Sequence, residues 1–503
     1  MSTFYGLEIA RKGMSVSQKA IDVTGHNIAN ANTTGYTRQR LAISAIEPGA
    51  GTYRFGLSAA GNVGAGAKII TVEQVRSGFL DRQFRRENTQ LNYWNERADG
   101  LAYVESLFDE LSETGITAAI TDFTDSIQEV SKDPVNKEYR TNMLQNALKM
   151  TETFNHYFQQ LNSKQSELNV QVEVKTNQIN DLAQSIADLN VQIARYELSG
   201  QKANDLHDKR NVYLDELSGI VDISYTTNSE NQLQISIGGQ MLVDHAGVNK
   251  LQAVSTPISP LPDPPTGLPT DMFEVQWADG AAAGAPVDIA GGSLKSLLDL
   301  RDGNTSDNMG IPWVVDQLNH FARNLASEFN AVHQQGWTMP IGSASETGVS
   351  FFDILGGDYD NITAANFAVD NVIKEDVYKI AASGAEIEAN MYEQGNNENA
   401  KDMIAMFDRN DIGNGIGSFN SFMKSLIGFM AVEISHTNKM QESQEVMQSS
   451  VDTQRMSLSG VSLDEEMTNM IKYQHSYSAA ARAVTAIDEM LDVLINKTGL
   501  VGR

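Results

Sequence analysis
The chain has 503 residues, 41% of them apolar, and 37 basic against 64 acidic side chains for a net charge of −27. At roughly 100–200 residues per domain this length predicts three or four domains, and the apolar content suffices for a sizeable core rather than a disordered polymer. The acidic balance argues against a nucleic-acid binder, which needs a concentrated basic face. The first 100 residues hold 12 basic and 8 acidic groups, a local surplus of +4 that leaves −31 on the remainder and reads as interface chemistry. Without cysteine, disulfides, Cys-ligated zinc, iron–sulfur clusters and thiol catalysis are excluded. No apolar run approaches the ~18 residues of a membrane span, so no membrane insertion is expected. The first residues lack the basic-then-apolar pattern of a cleaved secretory signal.

The N-terminal segment repeats every seven residues. Leu7, Met14, Ile21 and Ile28 form one stripe, and the small residues Ala10, Ser17, Thr24 and Ala31 lie three positions on, a seam suited to close helix–helix approach. Asn30, Asn32, Thr33, Thr34 and Gly35 before Tyr36 should stop that helix and turn the chain. Residues 44–72 are Gly-rich and read as an extended segment with short strand pairing. Helical periodicity returns over 77–111 and 116–130, where Asp133-Pro134 ends it. A long helix is predicted over 136–196, sharpest at Ile179, Leu182, Ile186, Leu189, Ile193 and Tyr196, and is broken by Ser199-Gly200. A shorter helix follows over 204–217.

The middle changes period. Residues 221–225 and 233–237 alternate, Gly238-Gly239 marks a turn before 241–243, and 273–277 is another strand. Residues 256–271 hold six of the 11 prolines and read as an exposed loop. Helices are predicted from 292 and over 313–333, irregular or β structure over 336–370, and a polar linker over 384–399. Helix resumes over 416–455 and is interrupted at 457–460. The last segment is the most regular: Met470, Tyr473, Tyr477, Ala480, Val484, Ile487, Leu491 and Leu494 alternate by three and four. Ser462 followed by Glu465 is a capping-box pattern.

A terminal heptad seam cannot bury itself, so the economical fold pairs the first helix with the last. The predicted class is α+β, elongated and multi-domain. Residues 1–45 with 460–503 form a coiled-coil domain of paired terminal helices, and 46–220 with 396–459 a long-helix bundle. Residues 221–395 form a β-rich inserted domain with helices near 293–335. Such a shape exposes much surface per residue and suits a building block stabilised partly by neighbours.

Residues 24–36, Thr-Gly-His-Asn-Ile-Ala-Asn-Ala-Asn-Thr-Thr-Gly-Tyr, closely resemble the signature of bacterial flagellar rod, hook and hook-associated proteins. The following Thr37-Arg38-Gln39-Arg40 is closer to the hook-associated members. Ser459-Gly460-Val461-Ser462-Leu463-Asp464-Glu465-Glu466-Met467, then Ile471-Lys472-Tyr473-Gln474, Tyr477 and Ala479-Ala480-Ala481-Arg482, resemble the C-terminal helix of the hook-associated protein 1 family. Residues 204–217 and 291–302 agree, and the resemblance weakens over 250–290 and 340–395. It implies a structural subunit that assembles with copies of itself at the distal end of the hook. There it would act as the hook–filament junction adaptor on which the second junction protein and the filament build. It further implies hook protein as a partner and a cytoplasmic export chaperone at the C-terminal helices. Export by the flagellar type III apparatus without a cleaved signal would place the subunit outside the cell. A hook or rod subunit is the alternative, which the long helices at 136–196 and 416–455 disfavour. A surface adhesin built on the β-insert is another that nothing in the sequence requires.

The candidate interface residues carry two readings each. Tyr473 and Tyr477, with Met470, Val484, Ile487, Leu491 and Leu494, are seam residues within one chain or anchors between subunits. Asn27, Asn30 and Asn32 form a self-satisfied turn or bond a neighbouring subunit. Arg38 and Arg40 are solvated charges or pair with acidic groups of an adjacent subunit, which would add specificity more than affinity. No catalytic constellation appears: phosphate-binding Gly-rich loops, His-Glu-x-x-His and nucleophile elbows are absent from the sequence, the eight histidines are scattered, and no cofactor or metal is expected. His26 reads as a helix-end residue. Residues 408–413 superficially resemble a calcium loop, but position twelve is Phe419, so the terminal carboxylate is missing. Glu465-Glu466 at a helix start complement the dipole.

Overall fold
A computed structural model describes residues 3–46, 64–108, 115–227, 232–257, 271–340, 344–387, 395–409 and 417–497. Most of the glycine-rich stretch, the proline cluster, part of the 384–399 linker, the calcium-like loop after Arg409 and the helix stop at 498–499 lie outside them. The fold is mostly helical, with small antiparallel sheets, and the N- and C-terminal helices pack on each other. In chain order the elements are α1 (Thr3–Ala29), β1 (Gln39–Ala45), β2 (Ala67–Gln74), α2 (Gly78–Leu107), α3 (Ile116–Lys132), α4 (Lys137–Glu197) and α5 (Asn204–Ile220). Six strands follow: β3 (Ser224–Thr227), β4 (Leu233–Ile237), β5 (Gln240–Asp244), β6 (Gly247–Val248), β7 (Leu251–Thr256) and β8 (Met272–Trp277). Then come α6 (Ser293–Asp302), α7 (Ile311–His333), α8 (Asn371–Glu375), α9 (Glu398–Asp408), α10 (Phe419–Ser459) and α11 (Leu463–Asp492). None of the described helices is long and apolar enough to cross a membrane.

Two compact units divide the chain: residues 1–88 with 180–249 and 445–503, and residues 89–179 with 250–444. In the first, β1 and β2 pair antiparallel from Gln39↔Gln74 to Ala45↔Ala67, with an irregularity between Ala42 and Ile43. The expected strand pairing around 44–72 is thus made by segments at its two ends. Strands β3 to β6 form a meander in sequence order. Its β4–β5 turn, Gly238-Gly239, has φ of 53° and 79°, the two left-handed residues of a tight hairpin turn. Leu233, Ile235 and Ile237 alternate into the core, as a half-buried strand should. Asn190 of α4 ties that sheet to the helices: its Nδ2 donates to the carbonyls of Leu233 (3.0 Å) and His245 (2.8 Å). Its Oδ1 accepts from Arg210 of α5 at 2.8 Å.

The second unit has an aromatic core. Phe123 of α3, Phe154 of α4, Phe321 and Phe329 of α7, Phe351, Phe352, Phe367, Phe407 of α9 and Phe419 of α10 are all buried. They meet at ring-centroid distances of 4.8–6.4 Å, among them a stacked Phe154–Phe321 pair at 5.4 Å. Burying each such ring is worth about 1.5–3 kcal/mol, which lets the short irregular segments over 336–340 and 344–370 fold without a regular sheet. The buried stripe of α4 steps by three and four through Ala147, Met150, Phe154, Phe158, Leu161, Leu168 and Val172, and Gln165 inside it donates to the Arg301 carbonyl at 2.8 Å. Arg97 of α2 pairs with Glu433 of α10 at 3.0 Å. Arg140 is buried against backbone carbonyls, those of Pro134 (2.6 Å) and Ile380 (2.7 Å) being nearest.

His333, at the end of α7, is fully buried. Its Nδ1 lies 2.7 Å from the Val349 carbonyl and its Nε2 accepts from the Ala381 amide at 2.9 Å. The ring is therefore neutral, with its proton on Nδ1, and burial lowers its pKa from 6.5 to about 4. The unfolded chain binds this proton first as pH falls, so the stability this ring contributes is full above pH 6.5 and is lost as pH falls toward 4. We expect His333→Gln to lower stability at pH 7.5, yet to flatten the pH dependence between those limits by up to about 1.4 kcal/mol per pH unit, read by urea unfolding at stepped pH.

Candidate functional site
The predicted residues converge where α1 ends. Three backbone bonds turn the chain there: Asn30 N to His26 O (3.1 Å), Thr33 N to Asn30 O (2.9 Å) and Tyr36 N to Thr33 O (3.1 Å). Asn30 serves that turn, donating to the His26 carbonyl at 3.0 Å and accepting from Thr33 Oγ1 at 3.2 Å. Asn32 is exposed. Gly35 has φ of 76°, and a Cβ there would overlap Val212 of α5.

Asn27 lies inside α1, not in the turn, and is buried. Its Oδ1 accepts from Tyr36 Oη at 2.8 Å and from the Gln39 amide at 3.0 Å. Its Nδ2 donates to the Gln39 carbonyl at 2.8 Å and to Glu466 Oε2 at 3.1 Å. One side chain thereby fastens α1 to β1 and to the first turn of α11. Tyr36 sets its ring edge-on to His26 at 5.5 Å, and burial, then the Asp205, Asp208 and Glu466 carboxylates, push its hydroxyl pKa up. His26 Nε2 lies 3.4 Å from Asp205.

Arg38 takes a third course beside the two read from sequence: its partners belong to the same chain. Nε donates to Glu466 Oε1 at 2.8 Å, a second guanidinium nitrogen lies 2.8 Å from Glu465 Oε2, and its amide donates to the Ser459 carbonyl at 2.9 Å. Charge-assisted bonds of this length are among the stronger ones. Ser462 caps α11 by accepting from the Glu465 amide at 3.5 Å, so Glu465 and Glu466 meet both the helix dipole and Arg38. Arg40 is exposed and lies 3.6 Å from Glu73 across the hairpin.

Helix α5 supplies the acidic floor. Asp208 accepts from Thr37 Oγ1 (2.6 Å), the Thr37 amide (3.0 Å) and Gln74 Nε2 (2.8 Å). Burial raises its pKa to about 6, against the pull of the Thr37 bonds and of Arg76. Gln39 Nε2 reaches Asp205 at 2.8 Å. Nearby, Asp215 is held between Arg85 (2.7 Å) and Arg455 (2.6 Å), the latter lying 3.7 Å over the Phe84 ring. Asp205, Asp208, Gln74 and Arg76 were not singled out from sequence. They sit in polar runs whose periodicity says only that a helix or strand is present. The partners of Asp205, Asp208 and Gln74 named above lie over 100 residues away, and Arg76, although paired with Asp81 five residues on, reaches Asp208 across 132. The described residues hold no group of three or more His, Asp or Glu arranged to bind a metal ion.

Beyond this hub α1 and α11 run together. Ala10, Ser17, Ala20, Val23 and Thr24 are buried on α1, while Leu7, Met14, Ile21 and Ile28 flank them half-buried. On α11, Met470, Tyr473, Tyr477, Val484, Ile487 and Leu491 are half-buried, and Leu494, in the turn beyond α11, is exposed. Glu466 is the one buried residue of α11.

Three family models match the chain. One describes the flagellar hook-associated protein FlgK helical domain and covers residues 101–352. The others describe a flagella basal body rod protein, over 7–37, and the C-terminal part of flagellar basal body rod FlgEFG proteins, over 453–497. The chain is 33% identical to flagellar hook-associated protein 1 of Bacillus subtilis, covering all of both chains. It is 22% identical to flagellar hook-associated protein 1 of Escherichia coli, covering 97% of this chain and 98% of that one. A solved structure of the flagellar hook junction protein FlgK from Burkholderia pseudomallei superposes with a TM-score of 0.61 at 15% identity. It covers 75% of this chain and 100% of that one, and shares the fold.

Position 35 offers a direct test of the hub. Gly35→Ala forces an L-residue into left-handed backbone, which costs roughly 1–2 kcal/mol, and drives a methyl into Val212. We expect lower stability of the full-length protein in urea, with Val212→Ala relieving the steric part and leaving the backbone part.

Proposed function
The chain belongs to the flagellar hook-associated protein 1 family, and on that premise we propose how its terminal helices serve assembly. It is a structural, non-enzymatic component of the flagellum, located outside the cell at the hook–filament junction. As an axial component it assembles with hook and filament proteins. In our reading a layer of copies caps the distal end of the hook, with hook protein beneath and the second junction protein above. Before export, a cytoplasmic chaperone holds the C-terminal helices.

The surface of α11 carries this reading. Over 30 residues it buries one, yet Leu463, Met467 and Ile471, spaced by four along one face, are 47%, 52% and 56% exposed. Helical positions four apart stack on one face, and a contiguous exposed apolar stripe marks an interaction surface. The half-buried row Leu7, Met14, Ile21 and Ile28 on α1 supports the same role. Neighbouring subunits supply the burial that a single chain leaves undone, with terminal helices side by side around the export channel.

Removing everything after Val461 tests the reading. The remaining chain is expected to stay soluble and keep its residue 89–179 and 250–444 unit folded, with cells making bare hooks and releasing flagellin monomers into the medium. Electron microscopy and flagellin immunoblots of the medium read both. Normal filaments would overturn the role given to α11, and absent hooks would place the chain earlier in the axial structure.

A further inference from the structure
The α1–α11 pair has an antiparallel register that can be followed residue by residue. A Cβ at position 6 would stand 3.3 Å from Ile487 Cδ1, and one at position 13 would stand 3.8 Å from Ala480 Cβ. Asn27 Nδ2 meets Glu466 at 3.1 Å. From Gly6 to Gly13 is one heptad and from Gly13 to Asn27 two. From Ile487 back to Ala480 is one and from Ala480 back to Glu466 two. One unbroken heptad register therefore joins all three pairs.

Packing accounts for part of that register, since Gly6 leaves room for Ile487. The α1 face toward α11 reads Gly6, Ala10, Gly13, Ser17, Ala20, Thr24. It is small throughout, so its holes differ from one turn to the next by only one to three heavy atoms. Sliding α11 by one turn, about 5.4 Å, would keep the alternation of three and four against this small-residue face, although Tyr477 or Val484 would then stand where Ala480 meets Gly13. Asn27 and Glu466 break the degeneracy. A one-turn slide would strand the Glu466 carboxylate away from Asn27 and Arg38, and a buried ion without partners is strongly disfavoured. A single buried polar position is a known way to fix the register of a helix pair.

We propose that Glu466, acting through Asn27 and Arg38, is the positioning residue that sets the register of α11 on α1. The carboxylate adds little apolar burial; it favours one alignment on a face whose small residues discriminate weakly by shape. The inference deepens the assembly reading and rests on it for its purpose, since the register decides which stripe of α11 meets a neighbour.

The absence of native cysteine makes the register directly readable. The 3.8 Å separation at positions 13 and 480 falls within the ~3.5–4.5 Å Cβ–Cβ span of a disulfide. Full-length protein carrying Gly13→Cys with Ala480→Cys, with Tyr477→Cys or with Val484→Cys is oxidised, and intrachain bonds are quantified by peptide mapping. The 13–480 bond should dominate in the otherwise unchanged chain. Adding Glu466→Ala should cut its yield about tenfold relative to the 13–477 or 13–484 bond, the scale of losing hydrogen bonds to a charged group. Glu466→Gln keeps one acceptor oxygen, enough for Arg38 or for Asn27 but not for both, and should restore the 13–480 preference in part, which separates register from general loss of structure. Two results would overturn the proposal: an unchanged 13–480 preference in Glu466→Ala, or equal yields at all three pairs before Glu466 is altered. The bonds report register whether or not filaments form, and the truncation after Val461 reports assembly whatever the register.

Discussion
A carboxylate on a helix that otherwise lies half in solvent stays buried only where it is matched. Glu466 is matched twice, by the Arg38 guanidinium and the Asn27 amide, and the rest of the first unit's order follows from those two partners. Asn27 also holds both backbone groups of Gln39 and the Tyr36 hydroxyl, so the start of the hairpin is placed by the residue that places α11. Arg38 binds the last carbonyl of α10 through its amide. Thr37, between them in the chain, is claimed by Asp208 of α5. The four consecutive residues Tyr36 to Gln39 thus face partners on four helices, α1, α5, α10 and α11, directly after the sharp left-handed turn that Gly35 permits.

The two units use different means of cohesion. The second buries nine phenylalanines in mutual contact and needs little directional bonding to hold its irregular segments. The first rests its junction on polar groups with long sequence separation, each satisfied by a named partner. Polar networks are costly when incomplete and specific when complete. The division fits the proposed assembly, in which the terminal helices present a surface to other subunits.

Periodicity made much of the helical fold legible. The 61 residues of α4, the terminal helices, the β4–β5 turn and the cap at Ser462 each follow from a local rule that needs no knowledge of partners. Helix α9 went unread because Asn and Gly before it dilute its pattern, although Ala400, Met403, Met406 and Phe407 are buried. Strand β7 went unread because Leu251 alone of its six residues is buried, leaving almost no alternation to detect. At the hub, sequence supplied Asn27, Gly35, Tyr36 and Arg38 but not what they bind. Asn27–Glu466 spans 439 residues, and no local rule relates two polar side chains that far apart.

The seam shows why such distant pairs matter more than their number suggests. A heptad row identifies which side of a helix meets another helix, and on α1 the structure gives the centre of that side to Gly6, Ala10, Gly13, Ser17 and Ala20, with the larger Leu7, Met14, Ile21 and Ile28 beside it. Small residues let the backbones approach closely but hold the pair only weakly against sliding. Larger residues at the centre would lock the pair by shape and would also fill the seam more deeply. With small ones, alignment has to come from elsewhere, and Asn27–Glu466 at one end supplies it while the other end stays lightly packed. A subunit whose apolar stripes are completed by neighbours benefits from that arrangement, because α11 is aligned before contact without being so deeply buried that its outer face is lost to assembly.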